Sequence, residues 1–175
     1  MKNIKIVLVG LPGSGKSTLG KQLAVQLGFP FYDLDELIVQ QENQSIPDIF
    51  YKHGEGYFRQ AETRALEKHL DAEEAMVLST GGGAPCFNDN MDRINSKAIS
   101  VFLDVPLSQI IQRMNSSEVA IRPLFQGLDA GEIFAKLKDL YAARIGYYDQ
   151  AKIKLSGDDI STELLISELM SLFRS

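Results

Sequence analysis

Apolar residues fall along this chain in two rhythms. Short continuous runs rich in β-branched and aliphatic side chains alternate with longer stretches where leucine or isoleucine returns every three or four positions. The first pattern predicts strands buried on both faces, the second amphipathic helices. Residues 4–9 (IKIVLV) accordingly form a buried strand that stops at Gly10. Leu19, Leu23 and Leu27, with Gly28 as the stop, mark a helix over 19–28. FYDLD (31–35) is a second strand, and 46–70 is helical apart from a break at Gly54 and Gly56. AMVLST (75–80) and AISVFLD (98–104) are two further strands, the first running into Gly81, Gly82 and Gly83. Proline opens a helix over 106–114, and residues 115–127 carry no clean period and form a loop. A long helix over 131–148, a strand at 152–155 (KIKL) and a helix over 160–173 close the chain.

Strands alternating with helices imply right-handed crossovers and an α/β fold, a mostly parallel five-stranded sheet covered by helices on both faces. Ligands of such sheets bind outside the carboxyl ends of the strands. Three of the predicted ends are chemically loaded: GLPGSGKST, DLDE and STGGGAP. With 175 residues, no internal repeat and no linker, the chain is expected to be one domain, 1–175. Lys and Arg number 18 against 23 Asp and Glu, a net charge of −5 with no basic block. That excludes the electrostatic footprint of a nucleic-acid or anionic-membrane binder, so an anionic ligand needs a local pocket. The only cysteine is Cys86, so no internal disulfide forms and a reducing compartment is expected. The N-terminal apolar run is too short for a signal peptide, and no stretch reaches the roughly 20 apolar residues of a membrane helix. The expected location is the cytoplasm.

Gly10, Gly15, Lys16 and Ser17 fit G-x-x-x-x-G-K-[ST] between a buried strand and a helix, the context this phosphate-binding loop requires. Its backbone N–H groups and the helix N-terminus face a phosphate. Gly13, Ser14, Gly15, Lys16, Ser17 and Thr18 are the expected ATP contacts, with Lys16 reaching the β- and γ-phosphates and the Ser17 hydroxyl on Mg²⁺. Such enzymes hold the metal with a second acid at a strand end. Strand 75–80 ends in Ser79 and Thr80, and Asp104 is followed by Val105-Pro106 and a helix, which makes it a cap. Asp33 and Asp35 remain. A strand end running into a helix cap would also place aspartates there. As residues i and i+2 of a strand they would both face the cleft, Asp33 organising Mg²⁺ and Asp35 taking the acceptor proton. Arg59 and Glu62 share a helix face, either as a surface pair or as part of an acceptor pocket. Three consecutive glycines exceed what a turn needs, and point to close approach by a ligand or by a neighbouring element.

In order and spacing, GLPGSGKST, DLDE, IPDIF…GEGYFRQAE, STGGGAP, IRPL and Arg144 before Tyr147-Tyr148 resemble shikimate kinase, from residue 4 to about 150. The resemblance implies a three-layer P-loop kinase fold with a substrate-binding insertion at about 34–62 and a mobile lid at about 113–127. It implies ATP-dependent phosphorylation of the 3-hydroxyl of shikimate, a step toward aromatic amino acids, by a monomer with Mg²⁺ as cofactor. Carried over, Asp35 resembles the catalytic base that binds the shikimate hydroxyls, and Asp33 the metal-organising aspartate. Arg59 and Arg144 resemble the arginines that hold the substrate carboxylate, and Gly81 and Gly82 the backbone donors to its hydroxyls. Arg122 resembles the lid arginine over the transferring phosphoryl group, and Arg113 the arginine that packs on adenine. The SGDD loop (156–159) is expected to flank the adenine as well.

The chain departs from the family at Gly146, where members often carry proline, which predicts a looser helix end beyond Arg144. His53 and His69 have no companions at metal-ligand spacing and are expected to face solvent, and Cys86 to be a packing residue. Gluconate kinase is the neighbouring alternative, since two arginines also suit another sugar acid. A silent ATP-binding module is the alternative of a different class.

Overall fold

The computed structural model describes residues 3–116, 125 and 127–174. Its centre is a five-stranded sheet of β1 (Lys5–Val9), β2 (Phe31–Asp33), β3 (Met76–Ser79), β4 (Ile99–Asp104) and β5 (Ile153–Ser156), in the order β2-β3-β1-β4-β5. Every pairing is parallel. All five residues of β1 are buried, so both faces of the sheet are covered, as its unbroken apolar run requires. The register sets Asp33 opposite Ser79, and Ser79 opposite Leu8 of β1. The carboxyl ends of β1, β2 and β3 therefore lie at one level, side by side.

Helices α1 (Lys16–Leu27), α2 (Leu34–Glu42), α3 (Ile46–Asp71), α4 (Asn90–Lys97), α5 (Leu107–Ser116), α6 (Ala130–Tyr148) and α7 (Thr162–Arg174) surround the sheet. α1 stops where Gly28 enters the left-handed region, φ 67°. The Phe29 N–H then reaches Ala24 O and the Gly28 N–H reaches Val25 O, which satisfies carbonyls that the helix end leaves open. α3 begins with a Ser45 cap that accepts from the Asp48 N–H, and is redirected once, at Gly54 (φ 79°, ψ 175°). Gly56 stays helical, so one glycine makes the break that two were expected to make. α6 opens on a reciprocal box between Asp129 and Glu132. It runs without a break past Gly146 to Tyr148.

Two helices went unanticipated. α2 buries only Leu34 and Ile38, and the apolar pair of α4 is Met91 and Ile94. α4 is one apolar step on an otherwise polar segment, while Leu34, Leu37 and Ile38 of α2 were hidden because the first residues of that helix read as the end of strand FYDLD. Between β3 and α4, residues Ala84–Cys86 form a single tight 3-10 turn.

Candidate active site

The loop after β1 closes around its own lysine. Gly10 sits at φ 143°, and a Cβ there would stand 2.9 Å from Leu103 O, so only glycine fits. Gly15, at φ 93°, delivers the chain into α1. Lys16 is 3% exposed, and its ammonium donates to Gly10 O (2.9 Å) and Leu11 O (2.8 Å). A buried ammonium needs such oxygens, and phosphate oxygens are stronger acceptors of the same kind.

Asp33 and Asp35 do not share a strand. β2 ends at Asp33, and Asp35 lies in the first turn of α2. The i and i+2 argument for a common direction is thereby corrected, yet the two residues stay coupled. Asp33 Oδ1 accepts from the Asp35 N–H (3.0 Å) as a helix cap, while Asp33 Oδ2 accepts from Ser17 Oγ (2.9 Å). Capping and facing the phosphate loop are one arrangement, because each carboxylate oxygen serves a different partner. Ser17 Oγ also lies 3.2 Å from Ser79 Oγ. These hard oxygens suit Mg²⁺, which takes one or two protein oxygens and keeps several waters. Among the described residues no group of three or more His, Cys, Asp or Glu gathers as a metal cage.

The three glycines after β3 each yield to a different side chain. A Cβ at Gly81 would stand 3.2 Å from Asp35 Oδ1 and 3.5 Å from Glu62 Oε1. At Gly82 it would meet Pro12 Cδ at 2.8 Å and Arg144 Nη1 at 3.0 Å, and at Gly83 Arg59 Nη1 at 2.8 Å. None of the three holds a positive φ, so what a side chain would cost there is space, not backbone strain. The run lets one carboxylate and two guanidinium groups close on adjacent residues.

Arg59 Nη1 donates to Glu62 Oε2 at 2.8 Å, and Arg59 Nη2 pairs with Glu55 Oε1 at 3.2 Å. Glu62 is 1% exposed, so its pair with Arg59 is no surface ornament. Burial pushes the Glu62 carboxyl up to about 7 against the pull of Arg59, with the Asp35 charge adding to the rise and Arg144 opposing it. Tyr141 and Tyr148 flank Arg144 along α6. Tyr141 OH donates to Asp104 Oδ1 (3.1 Å), and fully buried Tyr148 donates to Gly82 O (2.5 Å). Asp104, expected to cap a helix, instead gathers Tyr141 and Lys154 (3.2 Å) at the end of β4. Burial raises the phenol of Tyr148 well above its ordinary value. It also lifts the Cys86 thiol to about 11, in keeping with a packing role.

Arg113 of α5 donates to Ser14 O (3.1 Å) and to Gln109 Oε1 (2.8 Å), and Gln109 in turn donates to Asp158 O (2.9 Å). The two segments expected near the adenine are thus tied together by a glutamine that nothing in the pattern singled out. Arg122 and most of the lid stretch lie outside the described residues. His53 is exposed, as expected. His69 is half-buried, its ring 5.2 Å from that of Tyr32 and its Nδ1 2.9 Å from Ala65 O, so the expectation that it faces solvent does not hold.

Sequence reasoning missed Ser79, Tyr141, Tyr148, Gln109 and Phe87, whose ring lies 4.1 Å from Arg59 Cζ. Only Tyr148 left a trace, as the aromatic pair following Arg144.

The family model described as shikimate kinase matches residues 12–174. A shikimate kinase of Persephonella marina is 37% identical over 174 residues, covering 99% of this chain and 100% of that one. Among solved structures, the shikimate kinase of Bacteroides thetaiotaomicron superposes with a TM-score of 0.87 at 33% identity, over 98% of this chain and 99% of that one. The shikimate kinase of Acinetobacter baumannii in complex with shikimate gives 0.82 at 33%, over 97% and 92%.

Proposed function

The chain belongs to the shikimate kinase family, and from that premise we propose how its own residues carry out the reaction. The activity is transfer of the γ-phosphoryl group of ATP to the 3-hydroxyl of shikimate, giving shikimate 3-phosphate and ADP, in aromatic amino acid biosynthesis. One observation carries the assignment of roles. The ends of β1, β2 and β3 bring Lys16 and Ser17, Asp33 and Asp35, and Gly81–Gly83 with their two arginines to a single edge of the sheet.

The amides of residues 13–18 and the N-terminus of α1 hold the phosphates, and Lys16 exchanges loop carbonyls for phosphate oxygens. Ser17 and Asp33 would hold Mg²⁺, which would supply positive charge against the phosphates. Arg59 and Arg144, converging on Gly82 and Gly83, take the carboxylate of shikimate. Gly81 and Gly82 offer backbone donors to its hydroxyls. Asp35, beside Gly81, binds the acceptor hydroxyl and accepts its proton as the oxygen attacks phosphorus. Arg113, held between Ser14 and Gln109, packs on the adenine, and Arg122 closes over the phosphoryl group from the lid. We also propose that the enzyme works as a monomer in the cytoplasm. The single cysteine and the lack, among the described residues, of a helix long and apolar enough to cross a membrane support the location.

Coupled ADP release with Mg²⁺-ATP, comparing shikimate, gluconate and no acceptor, tests the acceptor assignment. Turnover with shikimate alone is expected. Turnover with gluconate, or none with either acid despite ATP binding, would overturn it.

A further inference from the structure

The Arg59 guanidinium is held along one edge by Glu62 and lies against the backbone at Gly83. Its Cζ lies over the ring of Phe87, 4.1 Å from the ring centroid. Phe87 follows the tight turn Ala84–Cys86 and is 38% exposed. The next two residues, Asn88 and Asp89, hold φ of 50° and 56°, a left-handed backbone that L side chains disfavour and asparagine tolerates best. Asn88 fastens that bend to α3, donating from Nδ2 to Arg59 O (3.2 Å) and to Thr63 Oγ1 (3.0 Å). The turn is thus bent back and tied to the same helical turn that carries Arg59, and the outcome is a ring on a guanidinium. Stacking of this kind covers the face and leaves the N–H donors along the edges available.

We propose that Phe87 is a positioning residue for the acceptor site: its ring holds the plane of the Arg59 guanidinium so that the fork meets a substrate carboxylate edge-on. The proposal rests on Arg59 being a carboxylate ligand. Without the ring, the outer edge of Arg59 is held only by Glu55, which is 59% exposed and competes with water for the pair. The Phe58 ring does not substitute. It lies 5.1 Å from Cζ and is itself only 5% exposed, committed to the core.

Initial rates with Mg²⁺-ATP and shikimate, measured on the wild type, Phe87→Ala, Phe87→Leu, Phe87→Tyr, Arg59→Ala and the Phe87→Ala/Arg59→Ala double variant, test this. Phe87→Ala is expected to raise the KM for shikimate about three- to fivefold, with kcat and the KM for ATP unchanged. Phe87→Leu should behave like Phe87→Ala, since it keeps apolar bulk without an aromatic face, and it stands in should Phe87→Ala fold poorly. Phe87→Tyr should restore the wild-type KM. In the Arg59→Ala background, removing the ring should add nothing further. An unchanged KM in Phe87→Ala, full function in Phe87→Leu, or an equal effect with and without Arg59 would each overturn the proposal. If Arg59→Ala itself leaves the KM for shikimate untouched, the carboxylate role of Arg59 fails and Phe87 loses its part with it. That failure is separable, because it shows in the single Arg59 variant.

Discussion

Replacing Gly83 by alanine separates binding from folding at the acceptor site. Gly83 has φ −85°, which alanine adopts without strain, so no backbone penalty arises. The new Cβ would stand 2.8 Å and 2.9 Å from the two terminal nitrogens of Arg59, whereas ordinary contact begins at 3.4 Å. The guanidinium must therefore withdraw by about 0.6 Å, the difference between 3.4 Å and 2.8 Å. If the shift falls along the 2.8 Å bond to Glu62, that bond stretches to about 3.4 Å, beyond good hydrogen-bond geometry. A guanidinium displaced by that distance weakens one charge-assisted bond to the substrate carboxylate, at about 1.5–3 kcal/mol or roughly 10- to 150-fold in the KM for shikimate. The stretched pair with buried Glu62 is present in the free enzyme too, and should lower unfolding stability by about 1–2 kcal/mol. Steady-state kinetics on shikimate, alongside a thermal melt, read both quantities. A wild-type KM would refute the claim that the glycine is there to admit Arg59. A large loss of Tm with unchanged KM would make its role structural.

Tyr148→Phe leaves Gly82 O without its buried donor and should cost about 1–3 kcal/mol, seen as a Tm lower by several degrees; no change would mean the 2.5 Å contact contributes nothing. Asp35→Asn should lower kcat by about 10²–10⁴ while ATP affinity, by fluorescence titration, stays put, and near-normal turnover would remove Asp35 as base. For Glu62 the folded carboxyl sits at about 7, above its unfolded value of 4.5, so the folded state holds the extra proton between those values. Its contribution is fully present below about 4.5 and fades as pH rises through about 7. Denaturant melts should therefore show wild type losing up to about 3 kcal/mol over that window relative to Glu62→Gln, and parallel curves would contradict the raised value.

β1, β3 and β4 could be placed from their apolar runs, because a strand buried on both faces announces itself without any partner, whereas β2 is half-buried and β5 alternates buried with exposed. The phosphate loop was equally legible, since its chemistry is local: backbone amides, one lysine and one hydroxyl within a few residues. α2 and α4 were not, as each buries a single apolar pair and owes its stability to what it lies against. Arg122, expected as a lid arginine from the in-order match of IRPL, falls outside the described residues.

The acceptor side divides in the same way. Sequence alone determined which residue types are present: two aspartates one residue apart, three glycines in a row, and an arginine three residues before a glutamate. Only the tertiary structure decided what they do. Asp35 could have followed Asp33 along a strand, but the chain turns into α2 and the Asp33 carboxylate splits between a cap and Ser17. The glycines could have served a turn, but they lie where Asp35, Arg144 and Arg59 converge from three separate elements. Phe87 could have been any half-exposed ring, until the tied bend at Asn88 laid it on Arg59. Residues distant in sequence meet only once the parallel register brings the strand ends level, and no local pattern of apolar and polar positions encodes that meeting.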